Sequence, residues 1–197
     1  MSLASLIQRF RRAPGIIVVS GLPRSGTSMM MRMLAAGGVP ILTDDRRAPD
    51  ANNPLGYFEF EPVKDLASGA EPRWLDQARG KAVKIVSFLL TWLPETHEYQ
   101  VIFMRRGLRE MTASQRDMLG EPGEPGRLER VYADHLEEVD RFLARRTCFS
   151  TLEVEHGHVI AHPEDEARRI AAFLGRPLDV SAMASAVDPR LYRHKDA

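Results

Sequence analysis

Cysteine is nearly missing from this chain of 197 residues: Cys148 stands alone, which excludes an internal disulfide framework and fits a reducing compartment, so a cytoplasmic location is expected. Its apolar neighbours suit a buried, inert thiol better than a nucleophile. Net charge is missing too, with 27 Lys and Arg against 27 Asp and Glu, so no bulk field favours nucleic acid or an anionic membrane. Lysine is scarce, 4 residues against 23 arginines, and the arginines supply planar forks suited to phosphate or sulfate oxygens. No run approaches the roughly 18 apolar residues of a membrane-spanning helix, so no integral membrane segment is expected. The opening MSLASLIQRFRR carries its charges after its apolar patch, the reverse of a signal peptide, and residues 1–13 read as a short amphipathic lead-in. Repeats and low-complexity tracts are also lacking, and the length suits one domain over 1–197, with a core that needs no covalent staples.

What the chain does contain is an alternation. Short hydrophobic runs at Gly15 to Ser20, Val39 to Leu42, Ala82 to Phe88, Gln100 to Met104 and Cys148 to Val154 read as strands. Helical patterns lie between and after them at Ser25 to Ala36, Glu61 to Ala67, Leu108 to Leu119, Leu128 to Arg145 and Glu164 to Leu174. This predicts an α/β three-layer sandwich around a central, mostly parallel sheet. Two polar stretches break the rhythm: Thr43 to Leu55, leaving a strand and so placed to cover a ligand, and Gly120 to Gly126, GEPGEPG.

The first strand runs into GLPRSGTS, Gly21 to Ser28, and then a Met-rich helical stretch. The loop has the G-x-x-x-x-G-K-[ST] form of a phosphate loop, with Thr27 where the lysine belongs, so a P-loop NTPase-like fold is expected without ATP–magnesium chemistry. Gly21 and Gly26 allow backbone N–H groups to converge on an anion, and a helix starting near Ser25 adds its unpaired N–H groups and positive end. Thr27 and Ser28 add hydroxyls, and Arg24 adds a cation. A tight βα turn with incidental glycines is the alternative.

A second constellation lies in VIFMRRGLREMTASQ, Val101 to Gln115. A strand delivers Arg105 and Arg106 at its carboxyl end, and Ser114 follows Arg106 by eight residues, two turns into a helix. Together they would grip one phosphate from two sides, whereas a helix with Arg and Ser on its solvated face is the bland reading.

On these residues the chain resembles the sulfotransferases that use 3′-phosphoadenosine 5′-phosphosulfate, in particular the compact bacterial branch. GLPRSGTS is similar to the family's 5′-phosphosulfate loop, and Arg106 with Ser114 to its 3′-phosphate motif. NNPLGYFEFE, the HPEDEARRIAAFLGRP segment and the closing VDPRLYRHK extend the resemblance over most of the chain. The resemblance implies transfer of a sulfuryl group to a hydroxyl or amine by in-line displacement, on a small-molecule or exposed-hydroxyl acceptor, with no metal. It implies donor binding by Arg24, Ser25, Gly26, Thr27, Ser28, Arg106 and Ser114, with Arg24 stabilising charge on the bridging oxygen.

Many relatives carry a His base two residues beyond a strand-borne Lys. Lys84 matches that Lys, but Val86 occupies the second position, so Glu59 and Glu61 become the candidate bases, unless either is a helix-start carboxylate or a partner of Arg. Lys84 would contact the sulfuryl oxygens or lie on a structural face. Arg190, Arg193 and Lys195 would close over the 3′-phosphate or form a solvated end. His156, His158 and His162 lack partners for a metal cluster and read as loop histidines. Two alternatives stay open: a small-molecule kinase, which would need the loop lysine and an acidic metal ligand, and a nucleotide-binding module without turnover. The acceptor's identity, which the segments Thr43 to Tyr57 and Glu71 to Gly80 would determine, and the oligomeric state are not legible.

Overall fold

The computed structural model describes residues 15–191, apart from 45, 49, 51–52, 54–55, 70 and 120–125. The lead-in over 1–13, Arg193, Lys195 and nearly all of GEPGEPG therefore lie outside the described residues, as do parts of the Thr43 to Leu55 stretch and of NNPLGYFEFE.

Chain order runs β1 (Ile16–Gly21), α1 (Thr27–Ala36), a 3₁₀ segment (Glu61–Ser68), α2 (Leu75–Ala78), β2 (Ala82–Lys84) and α3 (Ser87–Leu90). It continues through β3 (Tyr99–Arg105), α4 (Leu108–Leu119), α5 (Arg127–Arg145), β4 (Phe149–Glu155), α6 (His156–Ala161), α7 (Pro163–Leu174), α8 (Val180–Ser185) and a last 3₁₀ turn (Pro189–Leu191). The four strands form one parallel sheet in the order β2-β1-β3-β4, in register Val18↔Val83, Val18↔Val101 and Val101↔Thr151.

All six residues of β1 are buried, as an interior parallel strand covered on both faces requires. Its side chains alternate between two cores. Ile16 and Val18 join Val101, Phe103, Trp74, Leu90 and Val139 on one face. Ile17 and Val19 join Ile102, Met30, Met33, Val159, Ile170 and Met183 on the other. The helices thus lie in layers on either side of the sheet, and among the described residues none is long and apolar enough to cross a membrane.

Several elements differ from expectation, among them the helix expected at Glu61 to Ala67, which is 3₁₀ over Glu61–Ser68. Val39 to Leu42 is not a strand: only Ile41 bridges, beside Ala82, with the Leu42 amide donating to the Ala82 carbonyl and the Ala82 amide to that of Pro40. Pro40 has no N–H to extend a ladder. β2 stops at Lys84 because the chain coils into α3 before Phe88. α6 and α8, six residues each, are too short for their periodicity to be read.

The connection leaving β1 leads to β2 on one side, and the connection leaving β3 leads to β4 on the other. Their carboxyl ends therefore border the crevice at a topological switch point, where ligands bind in open α/β sheets.

Candidate functional site

At that crevice lies a cavity of about 490 Å³. The phosphate-like loop forms its floor. Gly21 has φ 151°, and a Cβ there would meet the Met104 carbonyl oxygen at 2.7 Å. Gly26 has φ 100° and caps α1 without a side-chain bond; its own Cβ would run into Cδ2 of His156. Glycine at both positions lets the loop pack tightly against β3 and α6 while the first-turn amides of α1 remain uncapped by any side chain.

Arg24 occupies the left-handed region at φ 69°, unusual for a residue with a Cβ. Its Nε donates to Ser114 Oγ at 2.9 Å, and Arg106 donates to its carbonyl oxygen at 3.0 Å. Arg106 also bonds Glu110 at 2.7 Å, both side chains being 9% exposed. The loop at the end of β1 and the Arg106–Ser114 unit at the end of β3 are one hydrogen-bonded assembly. Arg24, Thr27, Ser28, Arg106 and Ser114 all line the cavity.

The other sequence candidates divide. Glu59 and Lys84 line the cavity, with Glu59 accepting from Arg47 at 2.8 Å and lying 3.9 Å from the Lys84 ammonium. Lys84 donates to the Tyr57 carbonyl, and burial pulls its pKa down to about 8, against the opposing pull of Glu59. Ser25 is buried beneath the loop, its hydroxyl close to Gly21 rather than on the wall. Glu61 is paired with Lys64 and off the wall, although its backbone N–H is held by Asp44 at 2.8 Å. Arg190 bonds Asp188 with its side chain 89% exposed, also off the wall.

Several wall residues escaped the sequence reading. His156, 6% exposed, packs on Gly26; burial and then Arg106 lower its pKa to about 4, so it is neutral near pH 7. Arg32 lies one helical turn beyond Ser28, with burial lowering its pKa and Asp188 opposing that; its Nε is buried with no hydrogen-bond partner among the described residues. Arg32 is the one charged residue of the stretch Met29 to Leu34, which was the available signal. Arg47 stacks over the Tyr57 ring at 3.4 Å, and Tyr57 donates to Asp50 at 2.7 Å. Among the described residues no three His, Cys, Asp or Glu side chains are placed to hold a metal.

The arrangement can bind an extended, multiply charged anion: loop amides and hydroxyls at one point, Arg106 and Ser114 at another, with Arg24 between and Lys84 beside them. No protein-family model matches the chain, and no curated protein matches it. Solved structures do. The chain is similar to the sulfotransferase domain from the curacin biosynthetic pathway, at 16% identity over 94% of this chain and 80% of that one, TM-score 0.50. It is similar to the sulfotransferase domain from the Synechococcus PCC 7002 olefin synthase, at 16% identity over 94% and 85%, TM-score 0.51. The sulfotransferase STF9 from Mycobacterium avium matches at 13% identity over 93% and 70%, TM-score 0.50. This chain has the α/β fold of the bacterial sulfotransferase domains.

Proposed function

We propose that the protein is a sulfotransferase that moves a sulfuryl group from 3′-phosphoadenosine 5′-phosphosulfate to an acceptor hydroxyl or amine. The observation that supports this reading is the hydrogen bonding that joins the phosphate-like loop to the Arg106–Ser114 pair through Arg24, whose side chain bonds Ser114 while its carbonyl is held by Arg106. A single-phosphate site has no need of the second cradle, whereas a nucleotide phosphorylated at both 3′ and 5′ positions fills both.

In this reading the loop amides, Thr27 and Ser28 hold the 5′-phosphosulfate, and Arg106 with Ser114 holds the 3′-phosphate. Arg32 adds a cation from α1. The acceptor oxygen attacks sulfur, the sulfur–oxygen bond to the 5′-phosphate breaks, and the nucleotide leaves with the bonding pair on the former bridging oxygen. Arg24 and the protonated Lys84 neutralise charge there, in a partly dehydrated site where each counts for more than in water. Glu59, the cavity carboxylate nearest Lys84, takes the acceptor proton. Thr27 in place of the loop lysine weighs against ATP-dependent phosphoryl transfer.

Calorimetry with 3′-phosphoadenosine 5′-phosphate, its 3′-dephospho analogue and ATP with magnesium tests the reading. The bis-phosphate should bind at least a hundredfold more tightly than the dephospho analogue, and sulfated product should form from the activated donor. Tighter binding of ATP–magnesium, or phosphorylated product, would refute it.

A further inference from the structure

Arg106 lines the cavity from the short link between β3 and α4, but the carboxylate that holds it does not. Its Nε donates to Glu110 at 2.7 Å and its Nη1 to the Arg24 carbonyl at 3.0 Å, while Glu110 lies off the cavity wall. A guanidinium is planar, so bonds at Nε and at a terminal nitrogen, made to two different elements, fix both its place and its tilt. Glu110 sits in the first turn of α4, where the positive end of the helix favours a carboxylate. Ser114 follows by four residues and so stands on the same helix face, about 6 Å further along the axis. That face carries both the Ser114 hydroxyl and the holder of Arg106, which sets the gap between the two groups that grip an anion.

Stability alone does not account for this pair. Both side chains are 9% exposed, and a buried ion pair gains little over apolar side chains of the same volume, because each charge has been taken from water. A carboxylate this close to an anion site also repels the anion and competes with it for the guanidinium. What the pair supplies is order. A long side chain fixed before the ligand arrives loses less freedom when the ligand binds.

We infer that Glu110 is the positioning residue of the 3′-phosphate site: from outside the cavity, through its bond to Nε, it holds Arg106 at a fixed distance and tilt from Ser114. The identity of the anion rests on the sulfuryl-donor reading. The holding of Arg106 rests on the bond geometry and burial.

Two conservative variants separate the bond from the charge. Glu110→Gln keeps an oxygen acceptor for Arg106 Nε and deletes the charge. Glu110→Asp keeps the charge on a side chain one methylene shorter, so its carboxylate meets Nε only by drawing Arg106 from its place. Calorimetry with 3′-phosphoadenosine 5′-phosphate and with adenosine 5′-phosphate reads the preference for the 3′-phosphate without requiring turnover. Wild type should prefer the bis-phosphate at least a hundredfold. Glu110→Gln should keep that preference within about threefold, and Glu110→Asp should lower it about tenfold or more, with the affinity for adenosine 5′-phosphate within about threefold of wild type in both. A preference unchanged in both variants makes Glu110 structural, and one lost in Glu110→Gln but kept in Glu110→Asp makes it a counter-charge. Either result overturns the inference, as does an equal loss in both variants or an equal weakening of both nucleotides. A wild type without the preference refutes the sulfuryl-donor reading. The same contrast between Gln and Asp should then appear in the affinity for inorganic pyrophosphate, and its absence there overturns the role of Glu110 as well.

Discussion

Replacing Lys84 by Met should make the protein more stable and less active. Burial brings the Lys84 pKa from 10.5 to about 8. That difference equals roughly 3 kcal/mol of cost at pH 7 for keeping an 11%-exposed ammonium charged in the folded state. Met has similar length and no charge, so the substitution removes this cost but also removes the bond to the Tyr57 carbonyl, worth about 1 kcal/mol. The net gain is about 2 kcal/mol at pH 7, or roughly 4–8 °C in Tm for a chain of this size. The folded state holds the Lys84 proton more weakly than the unfolded chain, so the site's contribution to stability rises with pH between about 8 and 10.5. The advantage of Lys84→Met should accordingly shrink by roughly 2.5 kcal/mol between pH 7 and pH 10, and so be lost or slightly reversed. Urea unfolding of both proteins at the two pH values measures this, and the other titrating groups cancel in the difference. Sulfuryl transfer by the variant should fall at least a hundredfold, and wild-type activity should decline as pH rises through about 8 and the ammonium loses its charge. A variant less stable than wild type at pH 7, or one whose advantage is the same at both pH values, would refute the reasoning.

Three further outcomes follow from the loop and its supports. Arg24→Gly keeps a residue at ease at φ 69° while deleting the cation, so the melting temperature should hold or rise while the affinity for 3′-phosphoadenosine 5′-phosphate falls at least thirtyfold by calorimetry. Gly26→Ala should destabilise by about 1–3 kcal/mol through collision with His156 and backbone strain; adding His156→Ala should recover part of the loss, and strict additivity in the double-mutant cycle would reject the contact as cause. Arg32→Ala should weaken nucleotide binding about tenfold with less than about 0.5 kcal/mol change in stability, because its buried Nε has no hydrogen-bond partner among the described residues; a large loss of stability would make it structural instead.

The parts of the fold set by local pattern were readable. The run from Ile16 has the composition of a doubly covered strand, and Gly21, Gly26 and Arg106 sit where strands end, so the sheet's binding edge could be placed from the sequence. What depended on tertiary partners was not. Val39 to Leu42 has strand character, yet Pro40 restricts it to one bridge. Glu59 and Glu61 were equal candidates as carboxylates in one motif; pairing with Lys64 turns Glu61 away, and only Glu59 reaches the cavity. His156 looked like one of three loop histidines because its significance comes from Gly26, 130 residues earlier.

Arg24 and Ser114 are 90 residues apart in the chain, and Arg24 and Arg106 are 82 apart. The bonds between them form only after β1 and β3 have paired, so a fragment ending before β3 would hold half a cradle and bind a bis-phosphate little better than a mono-phosphate. A ligand that spans both halves is thus a clamp on the central strand pair. It should raise the unfolding temperature with the logarithm of its concentration and slow amide exchange most across Ile16–Gly21 and Tyr99–Arg105, including the strand residues that do not touch it.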